Sequence, residues 1–204
     1  MNRRSLLWSA LLVSPLLLAR APLAAAAADP KQVVADFGDN ALQMLADPAL
    51  SPDQRRQRFR ALLDQYFDFP RVARFVLGRW WQSANDTQRR QFTEAFEKYV
   101  VAIYSARFAD FVGTTFKVTG AFPQGTDVVM VRTDILQKNG APPAHVDWRV
   151  LNGNGAYRIT EVSIDGVAMS LTHREEFANI LENNGGNIDD LIKRVLARSE
   201  GPIK

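Results

Sequence analysis

The chain has 204 residues, no cysteine and a formal net charge of +3. Without cysteine, neither disulfides nor thiolate metal sites can hold it together, so stability rests on an apolar core, which 47% hydrophobic residues can supply. Arg3, Arg4 and Arg20 precede residue 29 and no acid does; beyond them 22 basic residues face 22 acidic ones, so net charge gives no reason to expect nucleic acid or a general anionic surface as partner.

The first element is a processing signal. Arg3-Arg4, the apolar stretch Leu6 to Ala19 (broken by Ser9, Ser14 and Pro15) and the small-residue run Ala21 to Ala28 with its A-x-A options form an export leader. The stretch is too short and too Pro-interrupted for a membrane span. Residues 1–28 are therefore expected to be a signal peptide read by ordinary secretion. Removal of 28 from 204 residues leaves 176, residues 29–204, enough for one domain with a sizeable core. No later stretch approaches 18 apolar residues, which predicts a soluble mature protein.

The first half then reads helical. Val33, Val34, Phe37, Ala41, Met44 and Leu45 make a 3.6-period stripe within Pro30 to Asp47, and Asp47-Pro48 stops it. Ser51-Pro52 restarts a helix with Ser as N-cap, carrying Phe59, Leu62, Leu63 and Tyr66 on one side. Pro70 opens a short helix through Leu77, and Gly78 stops it. Asn85 with Gln88 is a capping box for the longest helix, whose stripe runs Phe92, Phe96, Tyr99, Val100, Ile103, Arg107, Phe108, Phe111 and ends at Gly113.

The second half changes period. Thr114 to Phe122, Asp127 to Gln137, Ala144 to Asn152 and Ala156 to Asp165 are rich in β-branched and aromatic residues. Asn139-Gly140 and Asn152 to Gly155 read as hairpin turns. Thr172 to Glu182 and Ile188 to Ser199 close the chain as helices. Segregated runs of this kind predict an α+β fold: a curved four-stranded antiparallel sheet with N-terminal and C-terminal helices packed on it.

Enzyme and cofactor signatures are mostly missing. His145 and His173 form no metal pair, and neither a G-x-S-x-G elbow, a P-loop nor a dinucleotide fingerprint is present. No metal, cofactor or catalytic residue is therefore expected. Asp147, Tyr157 and Glu161 lie on strands and could serve an isomerase or hydratase in a cavity, but a solvated sheet face explains them more simply. Adjacent Trp80 and Trp81 cannot both face inward on one helical turn; one packs and one covers, or they wall a cavity. The aromatic stripe from Phe92 fits a core, and composition cannot separate a filled core from a hollow one.

Two blocks carry a family resemblance. Asp64 to Trp81 (DQYFDFPRVARFVLGRWW), continuing through Ser83 to Phe92, Phe96 and Tyr99, resembles the signature region of the MlaC / toluene-tolerance (Ttg2-type) family of periplasmic phospholipid-binding proteins. Tyr157 to Ser170 with Arg174 to Phe177, and Asn184 to Ile192, are similar to its later segments. Trp80-Trp81 and Ala168-Met169 depart from the familiar pattern. The resemblance implies an apolar cavity between sheet and helices, an NTF2-like cone. It implies a monomeric periplasmic carrier that shuttles phospholipid or another membrane lipid, maintaining outer-membrane lipid asymmetry. The partners it implies are an inner-membrane ABC transporter complex and an outer-membrane lipoprotein complex. A hopanoid-associated branch of the family is the alternative. On this reading Phe75, Val76, Phe96, Val100, Ile103 and Tyr104 are placed on the helical wall. Met130, Trp148, Val150, Val162, Ile164, Val167 and Met169 are placed on the sheet side. Arg71, Arg74 and Arg79 could meet head groups or partner carboxylates, a solvated helix face being the simpler account.

Overall fold

The computed structural model describes residues 29–107, 111–138, 140–153 and 155–200. The expected leader, together with Asn139 and Asn154 of the two turns, lies outside the described residues. Pro30–Ala46 (α1), Pro52–Tyr66 (α2), Phe69–Leu77 (α3), Trp80–Ser83 (α4) and Asp86–Ser105 (α5) precede the sheet. The strands are Thr115–Pro123 (β1), Val128–Leu136 (β2), Ala144–Gly153 (β3), Ala156–Ile164 (β4) and Val167–Ala168 (β5), followed by Met169–Asn183 (α6) and Ile188–Glu200 (α7). Among the described residues no helix is long and apolar enough to cross a membrane.

The caps sit where the sequence places them. Ser51 and Gln54, and Asn85 and Gln88, each exchange side-chain and backbone hydrogen bonds as capping boxes. Gly78 ends α3 at φ 58°, a conformation that favours glycine. The longest helix stops earlier than its aromatic stripe. The Ser105 hydroxyl and the Ala106 N–H both donate to the Ala102 carbonyl, at 3.0 and 3.3 Å, and the Arg107 N–H reaches back only three residues to the Tyr104 carbonyl at 3.2 Å, so the last turn tightens and ends. Phe111 belongs to a separate turn that the Thr114 N–H closes on the Phe111 carbonyl. Phe108 lies outside the described residues.

The sheet has five strands in the order β1-β2-β3-β4-β5, all antiparallel, not the four expected. The fifth is two residues long and follows a turn at Asp165-Gly166, too short to show a period of two. Gly140 lies in the connection between the antiparallel strands β2 and β3, and Gly153 pairs with Ala156 where β3 passes into β4.

Two bulges set which residues face the helices. Thr119 is the extra residue on β1, between the Val118–Thr133 and Gly120–Arg132 pairs. Thr160 is the extra residue on β4, between Val150–Ile159 and Arg149–Glu161. A bulge shifts the alternation by one. Ile159 before the bulge and Val162 and Ile164 after it therefore all pair with the inward Val150, Trp148 and Val146. α1 lies across the face of this sheet, α2 packs on α1, α3 on α6, and α5 on α7.

Candidate functional site

Between the sheet and helices α1, α2, α3 and α5 is a cavity with room for the centres of water-sized spheres totalling about 220 Å³. A cavity that holds one water needs roughly 10–15 Å³, so this space is far larger than a single water site.

Aromatic rings form much of the wall. Phe116 contacts Trp148 (centroids 6.0 Å), Trp148 contacts Phe37 (5.5 Å), Phe37 contacts Phe67 (5.5 Å), Phe67 contacts Phe69 (6.0 Å) and Phe69 contacts Phe96 (6.4 Å). Each of these rings also lines the cavity. Four of the five contacts are edge to face and Phe67–Phe69 is tilted, so the rings support one another along the wall and leave the space beside them unfilled. The Trp148 indole N–H donates to the Thr133 hydroxyl at 2.8 Å, and that hydroxyl donates to the Val146 carbonyl at 3.2 Å, which fixes the ring's tilt and satisfies two buried polar groups. On α5, Phe96, Val100 and Tyr104 line the space at intervals of four, one face of one helix.

Glu161 and Ser170, both in the lining, are turned toward each other. Glu161 accepts the Val162 N–H at 2.9 Å, the Ser170 N–H at 3.0 Å and the Ser170 hydroxyl. Helix α6 starts behind Ala168, which has no capping side chain, so the Glu161 carboxylate satisfies its first turn from the neighbouring strand. Burial lowers the His173 pKa below its ordinary value, and Glu176 opposes this in part. Neither ring nitrogen of His173 has a hydrogen-bond partner; the ring lies against Phe96 and Phe177. Burial also raises the Tyr104 pKa, keeping the phenol neutral.

The set considered for an isomerase or hydratase is not assembled. Asp147 lies between the inward Val146 and Trp148 and pairs with Arg132 at 2.8 Å on the opposite side of the sheet. Tyr157 sits beside Asn152 at the far end of the strands and does not line the cavity. Among the described residues no group of His, Asp and Glu could hold a metal ion.

Seven of the sequence-selected residues line this space: Phe96, Val100, Tyr104, Trp148, Val162, Ile164 and Met169. Six lie elsewhere. Met130 faces the other side of the sheet, because Val129, Val131, Thr133 and Ile135 are the inward residues of β2, and Val128 to Val131 is an apolar run whose parity the sequence does not reveal. Val76 and Val150 are almost fully buried, but in packed core beyond the cavity. Ile103 packs on the core one position off the lining face of α5. Phe75 is exposed with the Arg174 guanidinium 4.9 Å from its ring centre, and Val167 is exposed after the Asp165-Gly166 turn.

Trp80 and Trp81 are both half-buried and do not line this cavity. Trp80 lies under Arg79 and against Gly186, and Trp81 lies under Arg89. Arg71 pairs with Asp68 and Arg79 with Glu182, while Arg74 is exposed. The sequence reading missed the α1 and α2 wall, including Leu42, Met44, Leu45, Phe59 and Leu63. Their helical period was visible, but period shows which way a residue faces and not whether it meets a neighbour or a void.

The fold recurs in a solved structure. The phospholipid-binding protein from Ralstonia solanacearum, determined in complex with a phospholipid at 1.53 Å, superposes with a TM-score of 0.74 and 25% sequence identity, covering 84% of this chain and 97% of that one. The model of the MlaC protein family matches residues 35–196, from the second turn of α1 into the last turns of α7, and this chain belongs to that family.

Proposed function

We propose that this protein binds phospholipid by its acyl chains in the cavity and carries it through the periplasm between an inner-membrane ABC transporter complex and an outer-membrane lipoprotein complex, helping to keep outer-membrane lipid asymmetric. The observation that carries the reading is the apolar void itself, walled by aromatic rings in a fold shared with a phospholipid-bound protein.

Physical chemistry supports a carrier. A diacyl lipid has roughly 30 methylenes, and at about 0.8 kcal/mol each their exposure costs on the order of 20–25 kcal/mol. Unassisted passage through water is therefore negligible, and a hollow fold that takes up the tails removes the barrier. The lining polar groups are already engaged or neutral, so nothing in the cavity competes for the head group, which remains in water. Binding rather than catalysis fits a site whose one lining carboxylate caps a helix.

The direct test is native mass spectrometry of protein purified from its own host. A phospholipid released stoichiometrically, and removed by organic extraction without unfolding the chain, is the expected result. Protein that is folded, lipid-free and unable to take up phospholipid from detergent micelles would overturn the proposal.

A further inference from the structure

Besides Trp148, whose N–H is already bonded, the polar residues of the cavity lining are Tyr104, Thr114, Thr160, Glu161, Ser170 and His173. They come from the end of α5, the Phe111–Thr114 turn, β4 and the start of α6, whereas α1, α2 and α3 contribute no polar side chain. The cavity therefore has a polar wall and an apolar wall. Among the described residues no Lys or Arg is in the lining, and its one carboxylate is that of Glu161.

Four of these six polar residues are spent on protein. The Thr114 and Thr160 hydroxyls donate to the Phe111 and Arg149 carbonyls at 2.9 and 3.2 Å. The Ser170 hydroxyl donates to Glu161, whose carboxylate also accepts two backbone N–H groups. Two donors are left. The Tyr104 hydroxyl makes no hydrogen bond among the described residues, and burial keeps the phenol protonated. The His173 side chain is 12% exposed, and burial keeps its imidazole neutral, so one ring nitrogen carries a hydrogen. Neither nitrogen has a partner, and the Glu176 carboxylate stops 3.8 Å short of Nδ1. Tyr104 and His173 both stand near enough to Glu161 to feel its charge, which places them on one stretch of the polar wall.

We infer, resting on the carrier reading, that this stretch holds the ester linkages of the bound lipid, the Tyr104 O–H and the His173 N–H donating to the ester carbonyls. An ester carbonyl only accepts hydrogen bonds, so it matches two donors that the protein leaves unpaired. Drawing a carbonyl into an apolar cavity without a partner is costly, and here each bond satisfies both of its members. A phosphate or a free carboxylate would meet the Glu161 charge with no cation in the lining to offset it. The polar wall therefore takes the uncharged linkage and leaves the charged head group in water.

The test is a competition. Protein freed of lipid by organic extraction takes up lipid from detergent micelles holding equal amounts of dipalmitoyl phosphatidylglycerol and its dihexadecyl ether analogue. The two share head group and chain length, and the analogue lacks both carbonyls. Native mass spectrometry reads the bound ratio. The expected ester-to-ether ratio is about ten in the wild type, about three in Tyr104→Phe and about one in Tyr104→Phe combined with His173→Phe, each neutral hydrogen bond being worth a factor of about three. Both substitutions keep an aromatic ring, and urea unfolding checks each variant. Because the ratio is read on loaded protein alone, a partly unfolded variant still reports it. Equal uptake of the two lipids by the wild type, or a ratio that Tyr104→Phe leaves unchanged, overturns the ester site and leaves the carrier standing. Folded wild type that takes up neither lipid overturns the carrier reading itself.

Discussion

Val100→Trp tests whether the interior is hollow. Val100 lines the cavity from the middle of the lining face of α5, between Phe96 and Tyr104. Replacing isopropyl by indole adds about seven heavy atoms. If each displaces roughly one methylene of bound tail at about 0.8 kcal/mol, affinity drops by about 5–6 kcal/mol, close to four decades in Kd. Stability should respond differently. In a void the ring gains apolar contact and Tm holds or rises; in a packed core the same change costs about 1–3 kcal/mol. A loss of that size lowers Tm by about 2–4 °C per kcal/mol for a domain of this length. Val150→Trp is the matched control, since Val150 is fully buried outside the cavity and should lose stability. The assay is lipid retention by native mass spectrometry beside calorimetric Tm. Unchanged retention in a folded Val100→Trp protein, or a Tm loss matching that of Val150→Trp, refutes the argument.

Three further changes probe the lining. His173→Phe removes two unpartnered buried nitrogens and is expected to stabilise the protein by about 1 kcal/mol at pH 7. Because burial lowers the folded-state pKa of His173, the unfolded chain takes up its proton first, at about pH 6.5. The wild type should therefore lose stability as pH falls below that value, and the Phe variant should lack this component. Burial raises the pKa of Glu97, which acts in the opposite sense, so the two proteins are compared by urea unfolding in the same buffers. Glu161→Ala strips the acceptor from the Val162 and Ser170 N–H groups and the Ser170 hydroxyl, and should cost about 1–3 kcal/mol, with Glu161→Gln costing less; a urea midpoint unmoved by Ala rejects its capping role. Gly38→Ala would stabilise an open helix by about 1 kcal/mol, but here its Cβ takes the place of the Phe116 ring, which must turn into the cavity. No gain in Tm and weaker lipid retention are expected; a full gain with unchanged retention would show that the ring has room elsewhere.

The limits of sequence reading follow from what each signal measures. Caps and periods are local, and Ser51, Asn85 and Gly78 do in the structure what their neighbours in sequence imply. On α5 Phe96, Val100 and Tyr104 recur every four residues and share the lining face, because a helix fixes facing from its own period. A strand needs its register as well. On β4 the bulge at Thr160 realigns Val162 and Ile164 with Ile159, and on β2 the run Val128 to Val131 hides the parity that sends Met130 outward. Phe75 and Val167 stand outside the cavity lining for a different reason. Each is apolar in an apolar neighbourhood, and only the assembled surface shows that they are exposed. The void is further still from any local signal. It exists because rings from α1, α3, α5, β1 and β3 brace one another along a wall, and no residue type distinguishes a ring that fills space from one that borders it. The family resemblance supplied the expectation of a cavity; the chain's own periodicity could supply only its walls.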